Sequence, residues 1–171
     1  MSQTLVPAQT EDVLELDEMW SFVRFRKNKR WVWLAQCRRT RQIVAYARTH
    51  QIVAYAIGDR SEVTCRLLWE RVPATYKRGV LYTDFWSAYA EVLPEGQHRA
   101  TGKGAGQTCH IERFNGILRQ RLARFVRRTL SFSKCDERRT LSFSKCDEMH
   151  EICLLLFLHQ HNKRIQIILN N

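Results

Sequence analysis

The sequence predicts an α/β fold on three observations. Apolar and polar residues alternate at period two near the start of the chain, and apolar residues recur at helical spacing further on. An apolar share of 44%, with eight Phe, five Trp and five Tyr, can fill a core in 171 residues. The same composition excludes a wholly disordered or fibrous chain. The length fits a short leader over 1–12 and a single domain over 13–171.

The elements follow in order. Leu14, Leu16, Trp20 and Phe22 alternate with Glu15, Asp17, Met19 and Ser21, a strand pattern broken only by Glu18. Trp31 to Ala35 and Gln51 to Ile57 give two more strands, with polar connections suited to an antiparallel meander. Asp59 and Glu62 have capping-box spacing, and apolar positions 65, 68, 69 and 72 continue as a helix until Pro73 stops it. Gly79 to Thr83 reads as a strand ending at Asp84, and Trp86 to Tyr89 as a short helix. Three glycines, at 102, 104 and 106, make Thr101 to Thr108 a loop. Ile111, Phe114, Leu118, Leu122 and Phe125 then step by three and four along the clearest helix of the chain. A last helix is expected between Cys146 and Lys163, opened by Ser144 with Asp147 three residues on.

Two tandem duplications interrupt this order. The nonapeptide 39–47 recurs at 48–56 with one substitution, and RRTLSFSKCDE at 127–137 recurs unchanged at 138–148. Neither has a third copy, so local duplication is a plainer account than a solenoid. An odd insertion would turn every later side chain of a continuous strand to the other face, so one nonapeptide copy should be extruded. Eleven extra residues in a helix would rotate its downstream face by only about 20° but shift it by about 16 Å.

Twenty-eight Lys and Arg against seventeen Asp and Glu leave a net charge of +11, which makes a polyanion the first partner to consider. The longest apolar run, Ile152 to Leu158, is too short to span a bilayer, and no signal-peptide pattern opens the chain. A soluble, cytoplasmic protein with no membrane partner is expected. The six cysteines form no Cys-x-x-Cys pair and read as reduced thiols.

Three carboxylates stand out by position: Asp17 within the first strand, Asp84 at the end of a later one, and Glu112 in the first turn of the long helix. If the two strands are neighbours, Asp17 and Asp84 come within reach of each other and the helix can bring Glu112 over them. Two carboxylates about 4 Å apart repel by roughly 4 kcal/mol at an effective dielectric near 20, and a divalent cation removes that penalty. Oxygen-only ligands suit Mg²⁺ or Mn²⁺. The alternative is that Asp17 and Glu112 are surface charges and Asp84 caps the Trp86 to Tyr89 helix.

The strings Leu16-Asp17-Glu18-Met19-Trp20, Tyr82 to Tyr89 (YTDFWSAY) and His110-Ile111-Glu112-Arg113-Phe114-Asn115 through Lys134 resemble the catalytic region of insertion-sequence transposases of the IS-one (InsB-like) family. The resemblance covers about residues 13 to 163. It implies a ribonuclease-H-like mixed sheet flanked by helices, an Asp-Asp-Glu triad at Asp17, Asp84 and Glu112 holding Mg²⁺ or Mn²⁺, and strand cleavage followed by strand transfer. DNA would be the partner, as element ends and as target, bound by a homo-multimer. Members are expected to carry an N-terminal zinc-finger and helix-turn-helix segment. Only about a dozen residues precede the first strand here, so a separate DNA-recognition protein or an upstream reading frame is a further expected partner.

Residues expected on the DNA backbone are Lys103, Arg113, Asn115, Arg119, Arg121, Arg124, Arg127 and Arg128. Asn115 and Arg119 share a helical stripe with Glu112. His110 is placed either as an accessory that assists proton transfer or orients the triad, or as a capping or packing residue. A stand-alone ribonuclease-H-type nuclease and a decayed, non-catalytic DNA-binding copy are the alternatives. The Gly102 to Gly106 segment lacks the spacing of a nucleotide-binding loop. His150, Cys153, His159 and His161 match no standard zinc spacing and read as a core cysteine with surface histidines. Trp31 and Trp33 point the same way, towards core packing or base stacking.

Overall fold

The computed structural model describes residues 5–22, 27, 29–44, 55–102, 104–122 and 147–171. Five strands and four helices occur among them: β1 (Val13–Phe22), β2 (Lys29–Cys37), β3 (Tyr55–Gly58), α1 (Glu62–Arg71), β4 (Val80–Thr83), α2 (Ser87–Val92), β5 (His98–Ala100), α3 (Cys109–Arg121) and α4 (Asp147–Leu169). The sheet order is β3-β2-β1-β4-β5. β1 to β3 form the antiparallel meander, whereas β4 and β5 run parallel to β1. This mixed sheet flanked by helices is the α/β, ribonuclease-H-like arrangement.

β1 is the central strand, which explains its burial on both faces. Leu14 and Leu16 are fully buried on one face, and Glu15 is equally buried on the other. The parallel register pairs Val13 with Val80 and Glu15 with Tyr82; extended two places, it sets Asp17 level with Asp84. Trp33 fills the core, with its indole N–H donated to the carbonyl of Asp59 at 3.0 Å and its ring edge-on to Tyr89 at 5.3 Å. Ile111, Phe114 and Leu118 of α3 and Leu154 and Leu158 of α4 complete that core. Phe125 lies outside the described residues.

The nonapeptide duplication leaves a mark on the sheet. Gln36 bridges Ile43, and Val44 donates its N–H to Ala35 at 3.1 Å, so the end of β2 faces the first copy. The next residue of β2, Leu34, faces Tyr55 of the second copy. Consecutive positions of one strand are thus met by residues of different copies. Residues 45–54, where extrusion is expected, and the undecapeptide copies up to Cys146 lie outside the described residues.

Several sequence expectations are corrected. α1 is preceded by Ser61 as its N-cap residue, not by an Asp59–Glu62 box. Asp59 supports the turn instead: its Oδ1 accepts from the Ser61 N–H at 3.2 Å, from Thr64 Oγ1 at 2.8 Å and from the Ser61 hydroxyl. These bonds hold its carboxyl below the usual carboxylate range. α4 continues past Lys163 to Leu169, because no Gly or Pro follows to stop it. β5 is an added strand, and its His-Arg-Ala composition offers no period to read. His150 is fully buried and the His161 ring packs against Phe114 at 4.7 Å, so these two are not surface histidines. Cys153 is partly buried. Cys37, Cys65, Cys109 and Cys153 are free thiols; Cys135 and Cys146 lie outside the described residues.

α4 is tied to the first nonapeptide copy through Asn162. Its amide reads the Ile43 backbone as a strand would, accepting the N–H at 2.9 Å and donating to the carbonyl at 2.7 Å. Among the described residues, no helix is long and apolar enough to cross a membrane.

Candidate active site

The site lies where β1 runs past the end of β4. Asp17 sits mid-strand on β1, and Asp84 follows the last residue of β4. One oxygen of Asp84 accepts the Trp86 N–H at 3.0 Å, steadying the entry to α2. The other lies 3.9 Å from Arg60 Nη2. Asp84 therefore does support the short helix, with one oxygen left over.

Glu112 arrives from α3. Its Oε1 accepts the hydroxyl of Thr108, the residue before the helix, at 2.7 Å. Asp17, Asp84 and Glu112 line one cavity of about 450 Å³, together with Glu18, Trp31, Arg60, Thr108, Asn115 and Arg119. Within it, carboxylate oxygens of Asp17, Glu18 and Asp84 lie within 4.8 Å of one another. Glu112 shares the cavity without belonging to that tight group.

The position of α3 is set from β1. Glu15 is fully buried, and its Oε2 accepts the N–H groups of His110 at 3.0 Å and Ile111 at 3.1 Å. A carboxylate there satisfies the free donors of the helix start and suits its positive end. Glu15 Oε1 also meets His110 Nδ1 at 2.6 Å and Arg38 Nε at 2.8 Å. The His110 ring therefore belongs to the anchor of α3 and does not line the cavity.

Electrostatics separates the carboxylates. Burial pushes Asp17 up to about 7, and the nearby Glu18 and Asp84 charges add to that, against an opposing hydrogen bond from Asn115. Burial also raises Glu18, although Tyr89 and Arg60 both donate to it. Asn115 is 3% exposed; its Nδ2 donates to Asp17 Oδ2 at 2.7 Å, and its Oδ1 is buried with no hydrogen-bond partner among the described residues. An all-oxygen donor set, a carboxyl driven towards neutrality by burial and by its acidic neighbours, and an unpartnered amide oxygen together fit a hard divalent cation.

The expected DNA-contacting residues divide into three groups. Arg119 is exposed and lines the cavity, whereas Arg113 and Arg121 are exposed on α3 away from it. Asn115 is buried against Asp17 at the cavity wall. Lys103, Arg124, Arg127 and Arg128 lie outside the described residues. Of the tryptophan pair, Trp33 is core and Trp31 lines the cavity. Sequence reasoning missed Glu18 and Arg60. The one signal for Glu18 was its break in the strand alternation; Arg60 sits in a polar turn and gave none.

The family model described as IS1 transposase matches residues 12–137, about three quarters of the chain. The chain belongs to the IS1 transposase family. Asp17, Asp84 and Glu112 all fall inside the matched region, as do α1 to α3. Among curated relatives of this transposase, the iso-IS1n protein InsB of Shigella dysenteriae is 32% identical over 149 residues, covering 87% of this chain and 95% of the relative. The IS1 protein InsB of Shigella flexneri is 34% identical over 123 residues, covering 72% and 84% respectively. An IS1 InsB of Escherichia coli K12 is 32% identical over 123 residues, covering 72% of this chain and 66% of its own.

Proposed function

We propose that this transposase is a metal-dependent enzyme that cuts DNA strands at the ends of an insertion element and joins them to a target. Asp17 and Asp84 hold Mg²⁺ or Mn²⁺ and Glu112 completes the ligand set. The observation that carries this reading is the level placement of Asp17 and Asp84 in one cavity, with Asp17 buried enough to be raised to about 7. When bound, the ions activate a water or a 3′-hydroxyl and stabilise the leaving oxygen.

The protein's own groups set the geometry for that chemistry. Asn115 holds one oxygen of Asp17 and so orients the other. Thr108 does the same for Glu112. Glu15 fixes the start of α3 and with it the placement of Glu112. Arg119 is positioned for a phosphate in the cavity, and Arg113 and Arg121 for the flanking backbone. Residues 13–171 act as one catalytic domain within a multimer on paired ends.

The test is incubation of the full chain with a supercoiled plasmid carrying an element end. Mg²⁺-dependent nicking followed by joined products supports the reading. Nicking with no joining, or preference for an RNA–DNA hybrid, would favour a ribonuclease-H-type nuclease. DNA binding without either product would favour a decayed copy.

A further inference from the structure

We propose that Arg60 is a resident counter-cation of the acidic cluster and that Glu18 is its anchor, not a metal ligand. The assignment deepens the metal reading above and rests on it. By distance alone Glu18 would count as a ligand, since its oxygen shares the 4.8 Å cluster with Asp17 and Asp84. Both of its oxygens are already engaged, however. Oε1 accepts Arg60 Nε at 2.7 Å and Nη2 at 2.5 Å, and Oε2 accepts the Tyr89 hydroxyl at 2.7 Å. Burial holds the Tyr89 phenol well above its ordinary range, so it stays protonated and remains a donor.

Arg60 is also held by aromatic rings. Its guanidinium lies 3.7 Å from the centre of the Trp86 ring and 4.9 Å from that of Trp31. A planar cation bonded to a carboxylate and packed on indole faces keeps one orientation. That orientation leaves Nη2 3.9 Å from Asp84 Oδ2, too far for a hydrogen bond but close enough to act on its charge. The positive group lessens repulsion among the carboxylates before an ion arrives and opposes the ion once it does. Glu18 offsets much of that opposition, so the pair is close to neutral towards the incoming metal.

The experiment is isothermal titration of the full chain with Mn²⁺. Arg60→Gln should bind at least about tenfold more tightly, because a full charge a few ångströms from the ion exceeds one decade in affinity even at a surface-like dielectric. Arg60→Lys, which keeps the charge, should stay within about threefold of the parent. Glu18→Gln should bind about tenfold more weakly, and Glu18→Gln with Arg60→Gln should return near the parent value. Near-ultraviolet circular dichroism of the flanking tryptophans checks that each variant folds, and the charge-keeping and double variants carry the test if a single one does not. Loss of uptake in Glu18→Gln as complete as in Asp84→Asn, not restored in the double variant, would make Glu18 a ligand and overturn the assignment. Unchanged affinity in Arg60→Gln, with Asp84→Asn binding nothing, would overturn this assignment alone. A parent chain that takes up no Mn²⁺, or an Asp84→Asn variant that binds like the parent, would overturn the metal reading and this one with it.

Discussion

Asp17→Asn should abolish metal-dependent strand cleavage and, in metal-free buffer at pH 8, make the protein harder to unfold. The expected loss of cleavage is at least about 10³-fold, since the substitution removes a charged ligand from the site. The gain in stability follows from burial. Asp17 is raised from 3.8 to about 7, so between those values the folded protein keeps a proton that the unfolded chain releases. Stability is therefore fully present below pH 3.8 and falls as pH rises through 7, with no further loss from this group above it. An uncharged amide removes that slope and should recover on the order of 2–4 kcal/mol at pH 8. Urea unfolding at pH 5 and pH 8, in chelator and in Mg²⁺, checks both halves. In chelator the two proteins should converge at low pH and separate at high pH. In Mg²⁺ the parent should regain ground, because the ion binds only its folded form. A variant less stable than its parent at pH 8 in chelator would mean that the ionised carboxylate is stabilised by its surroundings.

Gly79→Ala should be among the most destabilising single-methyl additions in the chain. A Cβ at Gly79 would lie 1.8 Å from the carbonyl oxygen of Asp12 and 3.0 Å from its carbon. Both are backbone atoms and cannot swing aside. The entry to β4 would have to move away from the start of β1, at a cost of about 3–5 kcal/mol. The same displacement would travel along β4 to Asp84 and disturb its alignment with Asp17. Thermal unfolding and cleavage rate should therefore fall together. Gly96→Ala is the control: a Cβ there meets nothing within 4 Å, so its effect should stay within about 0.5 kcal/mol.

The sheet was legible where side chains alternate and the helix where they recur at three and four. Leu14 and Leu16 of β1, and Ile111, Phe114 and Leu118 of α3, are all buried as their spacing required. What the pattern could not show is which second face is covered. Glu15 alternates with apolar neighbours and so reads as solvent-facing. α3 instead lies over it, and the helix start supplies its hydrogen bonds. Glu18 likewise looked like a flaw in the strand, and it is the seat of Arg60.

The site divides along the same line. Asp17 was legible from its place in an alternating strand and Asp84 from its place at a strand end; that the two strands are neighbours was a condition of that reading, and the parallel pairing of β1 with β4 meets it. Asn115 does share the stripe of Glu112 and Arg119, but those two are exposed while Asn115 is buried, with its amide on Asp17. His110 was open between an accessory and a capping role, and its contact with Glu15 belongs with the capping. Such pairings join residues some ninety-five positions apart and leave no spacing to read.

The most direct test of the account is the position of bound manganese. Crystals of the full chain equilibrated with Mn²⁺ should give an anomalous scattering peak about 2.1 Å from oxygens of both Asp17 and Asp84, on the side of the cavity that Glu112 lines. A peak held by other residues, or none at this cluster at millimolar Mn²⁺, would contradict it.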